Sequence, residues 1–258
     1  MSLIISYINK FGIIIASDSN LTDDNGNTGF GQKVFPIPHL NAGLAHSGCY
    51  RINGQRIDDW MNEFINGSAF VTNTLQEFTH QLCETLNKVM RDDEISVISI
   101  IHICGYPTTD YQSDLEHWHI SNCTLDPKNG NYLGPNPEFH FECDFNSRDN
   151  KDHRNDLINL DNDSLGNIYY INGFPPGRIS ANFLRMEVEK ALAAIWRQPD
   201  WGFRKPQNLF ETSQVLELNF HIISELFKMS SYKALYIGGK TQTHLIPVPQ
   251  NINKNNWG

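Results

Sequence analysis

The chain has 258 residues, of which 40% are hydrophobic and 19% charged, and its formal net charge is −9 at pH 7. This length and composition are typical of a globular protein with one large domain or two small ones. The negative charge, with lysines and arginines scattered along the chain, argues against a general nucleic-acid surface. No apolar run is long enough for a membrane-spanning helix, and no positive region precedes an apolar core of signal length, so we expect no membrane partner and no signal peptide.

The strands predicted first form two hairpins. Two nearly continuous apolar runs predict strands over 3–8 and 11–17, buried on both faces. A second hairpin is predicted over 32–37 and 42–47, bent at its prolines. The chain is therefore expected to begin with four strands.

Two helices, several strands, two helices and two strands are predicted to follow. Apolar residues at helical spacing predict helices over 52–65, 73–90, 178–196 and 208–229, and Thr72 or Asn73 would cap the second. Later strands are predicted over 95–106, 115–123, 167–171, 233–237 and 241–247. This order predicts an α+β fold in a single domain over 1–258, with two sheets face to face and helices outside them. No internal repeat is evident.

A polar, acidic segment interrupts this pattern over about 142–166. Its richness in Asp and Asn predicts a long surface insertion. The five cysteines are odd in number and form no C-x-x-C pair; they are Cys49, Cys83, Cys104, Cys123 and Cys143. Such cysteines are typical of reduced thiols, and we expect a cytoplasmic location.

Ser2 is the candidate nucleophile. If Met1 is removed, the α-amino group of Ser2 has a pKa of about 7.7–8.0, so it can accept the hydroxyl proton without a histidine. The predicted hairpin brings Asp18 back beside Ser2. The alternative is that Ser2 has no catalytic role, since serine is a common second residue that favours methionine removal in many proteins.

Six stretches of the chain, in the right order, resemble the β subunits of proteasomes and their bacterial ring-peptidase relatives, which are N-terminal nucleophile hydrolases. They are Ser2 to Asp18-Ser19 with Gly31-Gln32-Lys33-Val34-Phe35, Ala45-His46-Ser47-Gly48, His102-Ile103-Cys104-Gly105-Tyr106, Tyr170-Ile171-Asn172-Gly173 and Leu235-Tyr236-Ile237-Gly238-Gly239. The resemblance implies a four-layer αββα sandwich. It also implies that Ser2 is the nucleophile, Asp18 and Lys33 its electrostatic partners, and the Gly48 amide an oxyanion donor.

The chain departs from this family at groups that help to fix the terminal amine. Active β subunits usually carry a serine in the glycine turn that here reads Gly173-Phe174-Pro175-Pro176-Gly177. They also carry an aspartate and a serine at the positions of Ala234 and Ile237. Two functions therefore stay open. One is an amide-bond hydrolase acting on a peptide or a small amide; the other is an inactive scaffold or binding subunit on the same fold.

Two histidines are the candidate metal ligands in the sequence. His117 and His119 are two residues apart in a predicted strand, so their side chains share one face. No third ligand is near in sequence, so we expect neither a metal nor another cofactor. The resemblance implies packing of subunits side by side, and the aromatic segment around Trp196 and Trp201 is a candidate contact surface. We therefore expect a homo-oligomer.

Overall fold

The computed structural model describes residues 2–22, 28–109, 112–113, 115–125, 132–146, 168–173, 175–229 and 237–249. Within these ranges the strands are β1 (Leu3–Asn9), β2 (Gly12–Asp18), β3 (Asn20–Thr22), β4 (Thr28–Phe30), β5 (Val34–Ile37), β6 (Ala42–Ser47), β7 (Arg51–Ile52), β8 (Gln55–Arg56), β9 (Ile100–Gly105), β10 (Thr108–Thr109), β11 (Gln112–Ser113), β12 (Glu116–Leu125), β13 (Tyr132–Asn146), β14 (Ile168–Gly173) and β15 (Thr241–Pro247). The α-helices are α1 (Ile57–Asn66), α2 (Leu75–Val89), α3 (Asp92–Ile95), α4 (Pro175–Trp196) and α5 (Leu209–Lys228).

Two antiparallel sheets carry most of these strands. The first has the order β14-β1-β2-β15, and the second has the order β13-β12-β9-β6-β5. Both predicted hairpins are confirmed: β1 pairs with β2 in the first sheet, and β5 pairs with β6 in the second. The four strands of these hairpins are therefore divided between the two sheets, and β3 and β4, which were not predicted, pair in a separate two-stranded sheet between them in the chain.

Alternate residues of β1 enter two different apolar clusters. Ile4 and Ile8 pack with residues of the second sheet, such as Ala45 of β6. Leu3 and Ile5 pack instead with residues of α5. Because a strand sends successive side chains to opposite faces, both faces of β1 are apolar and buried, which explains its unbroken hydrophobic run.

The helices pack on the sheets through apolar stripes. Leu216, Phe220, Ile223 and Phe227 of α5 recur at helical spacing and join the cluster of Leu3 and Ile5. Residues of α1 and α2 pack with the second sheet in a third cluster, which includes Met61, Phe78 and Leu82. The protein is therefore a mixed α+β fold built on antiparallel sheets.

The first predicted helix begins later than expected, at Ile57 instead of residue 52. Asn53 and Gly54 both have positive φ, 52° and 77°, and they connect the short strands β7 and β8. Positive φ at two successive residues is typical of a type I′ hairpin turn, which an Asn-Gly pair favours. The prediction followed the apolar spacing and missed this turn.

The strand predicted over 95–106 is also shorter than expected, since β9 begins at Ile100. Asn122 explains the difference, because its side chain accepts from the Ser99 amide at 2.7 Å and donates to the carbonyls of Ile95 and Val97. These hydrogen bonds hold the segment before β9 outside the ladder. The second helix begins at Leu75, and its cap is Thr74 rather than Thr72 or Asn73, because the Thr74 hydroxyl accepts from the Glu77 amide.

The later predictions have mixed outcomes. The strands over 115–123, 167–171 and 241–247 and the helices over 178–196 and 208–229 are confirmed with shifted ends. Residues 142–146 are the end of β13 rather than part of an insertion, and the rest of the predicted insertion lies outside the described residues. Residues 233–236, which are most of the strand predicted just before β15, also lie outside the described residues. Within the described residues, β15 pairs with β2.

Phe220 and Phe210 offer a matched test of how α5 is anchored. Phe220 is 2% exposed and Phe210 is 62% exposed on the same helix. We predict that Phe220→Ala lowers the free energy of unfolding by about 3–5 kcal/mol, because it leaves a cavity in the core. Phe210→Ala should change it by less than about 0.5 kcal/mol. Urea denaturation measures both, and equal losses would contradict the packing of α5 described above.

Candidate active site

Ser2 lies immediately before β1, and it is buried. Its hydroxyl oxygen accepts a hydrogen bond from Nζ of Lys33, the residue that precedes β5. Ser2 belongs to the chain entering the first sheet, and Lys33 to the chain entering the second. The contact between them is therefore made by the packing of the two sheets.

Lys33 is 1% exposed, which is exceptional for a lysine. Its Nζ lies 3.3 Å from Oδ2 of Asp18, at the end of β2. Burial lowers the pKa of Lys33, and the neighbouring Asp18 charge opposes that shift only in part. The lysine is thus less firmly protonated than one in water.

Asp18 is held by backbone amides as well as by Lys33. Its Oδ1 accepts from the Leu3 amide at 3.0 Å, and its Oδ2 accepts from the amides of Asn20 and Gly238 at 3.2 and 3.3 Å. These donors come from three separate segments of the chain. The carboxylate therefore has a fixed position beside both Lys33 and the start of β1.

Gly48, the predicted oxyanion donor, follows β6 directly. Its φ is +141°, and a Cβ at this position would lie 2.4 Å from Cα of Ser99, so only glycine fits without a shift. The preceding residue, Ser47, donates a hydrogen bond from its hydroxyl to the Ser2 carbonyl at 3.2 Å. The structure thus places Gly48 one residue from a direct contact with Ser2.

Sequence reasoning missed the contacts made to the Ser2 carbonyl. Besides Ser47, Gly173 at the end of β14 packs on this oxygen: its φ is +136°, and an added Cβ would lie 2.0 Å from the Ser2 carbonyl oxygen. The signals in the sequence were a hydroxyl in an apolar strand and a glycine ending one. Neither signal is specific before the strand register is known.

His46 is a second buried titratable group near Lys33. Its Nε2 lies 3.9 Å from Sγ of Cys49, and its Nδ1 has no hydrogen-bond partner within the part of the chain that the structure describes. Burial lowers the pKa of His46 to about 3, and the Lys33 charge acts in the same direction. The imidazole is therefore neutral at physiological pH.

His117 and His119 share one carboxylate. Their Nδ1 atoms each lie 2.8 Å from an oxygen of Asp144 on the neighbouring strand β13. The two rings therefore lie on the same face of β12, as predicted. Over the described ranges, no three side chains of His, Cys, Asp or Glu are grouped so that they could hold a metal ion.

Of the two positions where active β subunits carry an aspartate and a serine, the structure describes one. Ile237 is fully buried in the cluster of α5, whereas Ala234 lies outside the described residues. Trp201 is exposed, as a contact residue would need to be.

None of the described helices is both long and apolar enough to cross a membrane.

Comparison with known proteins finds a likeness among solved structures. Neither the scan against protein-family models nor the search of curated proteins finds a match. Among solved structures, the chain is similar to Anbu (ancestral beta-subunit) from Yersinia bercovieri, with 12% identity and a TM-score of 0.49 over 95% of this chain and 81% of that chain. At this TM-score the likeness carries no argument about function.

The environment of His46 predicts a pH dependence of stability. Because the folded-state pKa lies below the value of 6.5 for an unperturbed histidine, the unfolded chain binds the extra proton between about pH 3 and 6.5. Stability should therefore rise with pH in this window, by at most about 1.4 kcal/mol per pH unit from this residue alone, with the steepest part between the two pKa values. His46→Gln should remove that part of the slope in urea denaturation from pH 4.5 to 6.5. Parallel curves for the two proteins would contradict the assignment.

Proposed function

We propose that this chain is an N-terminal-serine amide-bond hydrolase with a proteasome-like fold. The observation that carries the proposal is the contact of the Ser2 hydroxyl with Nζ of Lys33, which is itself paired with Asp18. A hydroxyl, a buried cation and a carboxylate in this order are the elements of an activated nucleophile. All three residues were candidates from the sequence before their geometry was known.

The proposed reaction begins after Met1 has been removed. The free amine of Ser2 takes the hydroxyl proton, and the oxygen attacks the carbonyl carbon of the substrate. The positive charge of Lys33 favours the neutral, proton-accepting form of this amine, because like charges repel. Asp18 keeps Lys33 in place.

The tetrahedral intermediate then collapses to an acyl-enzyme. The amide of Gly48 donates to the oxyanion, and the protonated Ser2 amine gives its proton to the leaving amine of the substrate. Water next attacks the ester, which releases the acid and restores the Ser2 hydroxyl. No cofactor is needed, and the proposed substrate is a peptide or a small amide.

The three apolar clusters support a four-layer αββα arrangement in a single domain. One cluster lies between the sheets, one joins the first sheet to α5, and one joins the second sheet to α1 and α2. In such a sandwich the first residues of β1 and β5 lie at the same end of the two sheets. The proposed nucleophile and its lysine therefore lie together at that end.

A second candidate function is an inactive scaffold or binding subunit on the same fold. Ile237 favours it, because an apolar, fully buried residue stands where active β subunits carry a serine that helps to hold the terminal amine. The two candidates differ in one chemical property, which is the reactivity of Ser2.

Intact mass and an active-site probe test the hydrolase. We predict that the purified protein lacks Met1 and gains the mass of one peptide epoxyketone, drawn from a panel that varies its side chains. This probe suits the test because its ketone takes the hydroxyl and its epoxide takes the amine of an N-terminal serine. Ser2→Ala, which keeps a small second residue, should take no probe. Lys33→Ala should react at least about 100-fold more slowly, measured below its melting temperature.

Two outcomes would overturn the hydrolase. One is retention of Met1 in the bulk of the protein, because Ser2 then has no free amine. The other is a processed protein that takes no probe from the panel, which would favour the scaffold. Labelling at full rate in Lys33→Ala would leave Ser2 in place and contradict the role of Lys33 alone.

We also propose that the chain forms a homo-oligomer, and we predict a solution mass that is a multiple of 29.5 kDa. The exposed Trp201 and Phe203, both more than 60% exposed beside α4, support an apolar contact surface. Light scattering at micromolar concentration measures the mass. A value near that of one chain would refute the oligomer and would direct the search for substrates to small amides, since a monomer encloses no chamber.

A further inference from the structure

The peptide group that joins Ser2 to Leu3 is held at both of its polar ends. Its carbonyl oxygen, from Ser2, accepts from the Ser47 hydroxyl at 3.2 Å. Its N–H, from Leu3, donates to Oδ1 of Asp18 at 3.0 Å. The Ser47 hydroxyl reaches this peptide from β6 of the second sheet, and the Asp18 carboxylate reaches it from β2 of the first sheet. The orientation of this one peptide plane is therefore set by two side chains.

Fixing this plane also limits where the Ser2 hydroxyl can point. The Cα of Ser2 lies in the plane, so the plane fixes the position of Cα and the direction of the Cα–C bond. Two rotations, ψ of Ser2 and χ1, then set where the hydroxyl points. The hydroxyl lies against Nζ of Lys33 in the observed orientation. A displacement of the plane would move the Cα of Ser2, and the hydroxyl oxygen with it, relative to Lys33.

Ser47 also precedes Gly48 in the chain. Its hydrogen bond to the Ser2 carbonyl thus joins the residue that bears the nucleophile to the loop that bears the oxyanion amide. Misplacement by about 1 Å between reacting groups lowers rates by about 100-fold in enzymes. A side chain that fixes this separation acts on the rate of attack more than on substrate affinity.

We propose that Ser47 is a positioning residue, whose hydroxyl holds the Ser2 peptide so that the nucleophile faces Lys33 and stays at a fixed distance from the Gly48 amide. This inference rests on the proposed function. Ser47 touches no reacting atom itself, and nothing in its role requires it to exchange a proton. Its loss should lower the rate of bond formation while leaving the pH dependence of that rate unchanged.

The experiment uses the peptide epoxyketone that labels the wild-type protein. Its saturation kinetics give the binding constant and the maximal rate of adduct formation separately. We expect Ser47→Ala to lower the maximal rate about tenfold or more, with the binding constant changed less than twofold and the same midpoint in the pH–rate profile. Ser47→Thr, which keeps the hydroxyl, should recover most of the rate.

Ser213→Ala is the matched control. Ser213 is buried like Ser47, and its hydroxyl also donates to a backbone carbonyl, that of Phe210 in α5, far along the chain from Ser2. This variant should react at the wild-type rate. Each protein is assayed well below its melting temperature, and Ser47→Cys, with a weak S–H donor, replaces Ser47→Ala if the alanine variant does not fold.

The outcomes separate the inference from the proposed function. A wild-type protein that takes no probe overturns both. If the wild-type protein is labelled and Ser47→Ala reacts at the same maximal rate, only the inference is overturned. A loss confined to the binding constant, or a loss that Ser213→Ala shares, also overturns it, because either result describes a general effect of a lost buried hydroxyl.

Discussion

The buried ion pair between Lys33 and Asp18 is the constraint on which the site depends. Removing two charges from water costs several kcal/mol for each ion, and this cost is offset only where geometry and additional hydrogen bonds are good. Asp18 meets that condition through three backbone amides, those of Leu3, Asn20 and Gly238. The same carboxylate therefore fixes the lysine and ties the start of β1 to the turn before β15. A displacement of any one of these segments would weaken the pair and move Ser2.

The two N-terminal hairpins explain how such a pair is reached in this fold. The β1–β2 hairpin supplies Ser2 and Asp18 at one end of the first sheet, and the β5–β6 hairpin supplies Lys33, Ser47 and Gly48 at one end of the second. The apolar cluster between the sheets holds these ends close to each other. This cluster includes Ile4 of β1 and Val34 of β5, so the site borders an apolar interior, in which electrostatic interactions are stronger than in water.

The hairpins and the trio of Ser2, Asp18 and Lys33 could be predicted from the sequence, because their signals are local or lie at a spacing that the family resemblance supplied. The remaining features depend on tertiary contacts. The late start of β9, at Ile100 rather than residue 95, follows from hydrogen bonds of Asn122, which lies more than twenty residues away in the chain. Ser47 and Gly173 became visible only when the register placed both on the Ser2 carbonyl. A hydroxyl and a glycine have no such meaning until their partner is known.

The physical cost of Lys33 also bears on the choice between a hydrolase and a scaffold. Replacing a buried ion pair by well-packed apolar residues is often neutral or stabilising, so stability alone gives little reason for a fully buried lysine in this position. Here the lysine instead directs its Nζ to the hydroxyl of the second residue of the chain. That contact joins the chain entering the first sheet to the chain entering the second, and the proposed activation of the Ser2 hydroxyl would give the buried charge a chemical role.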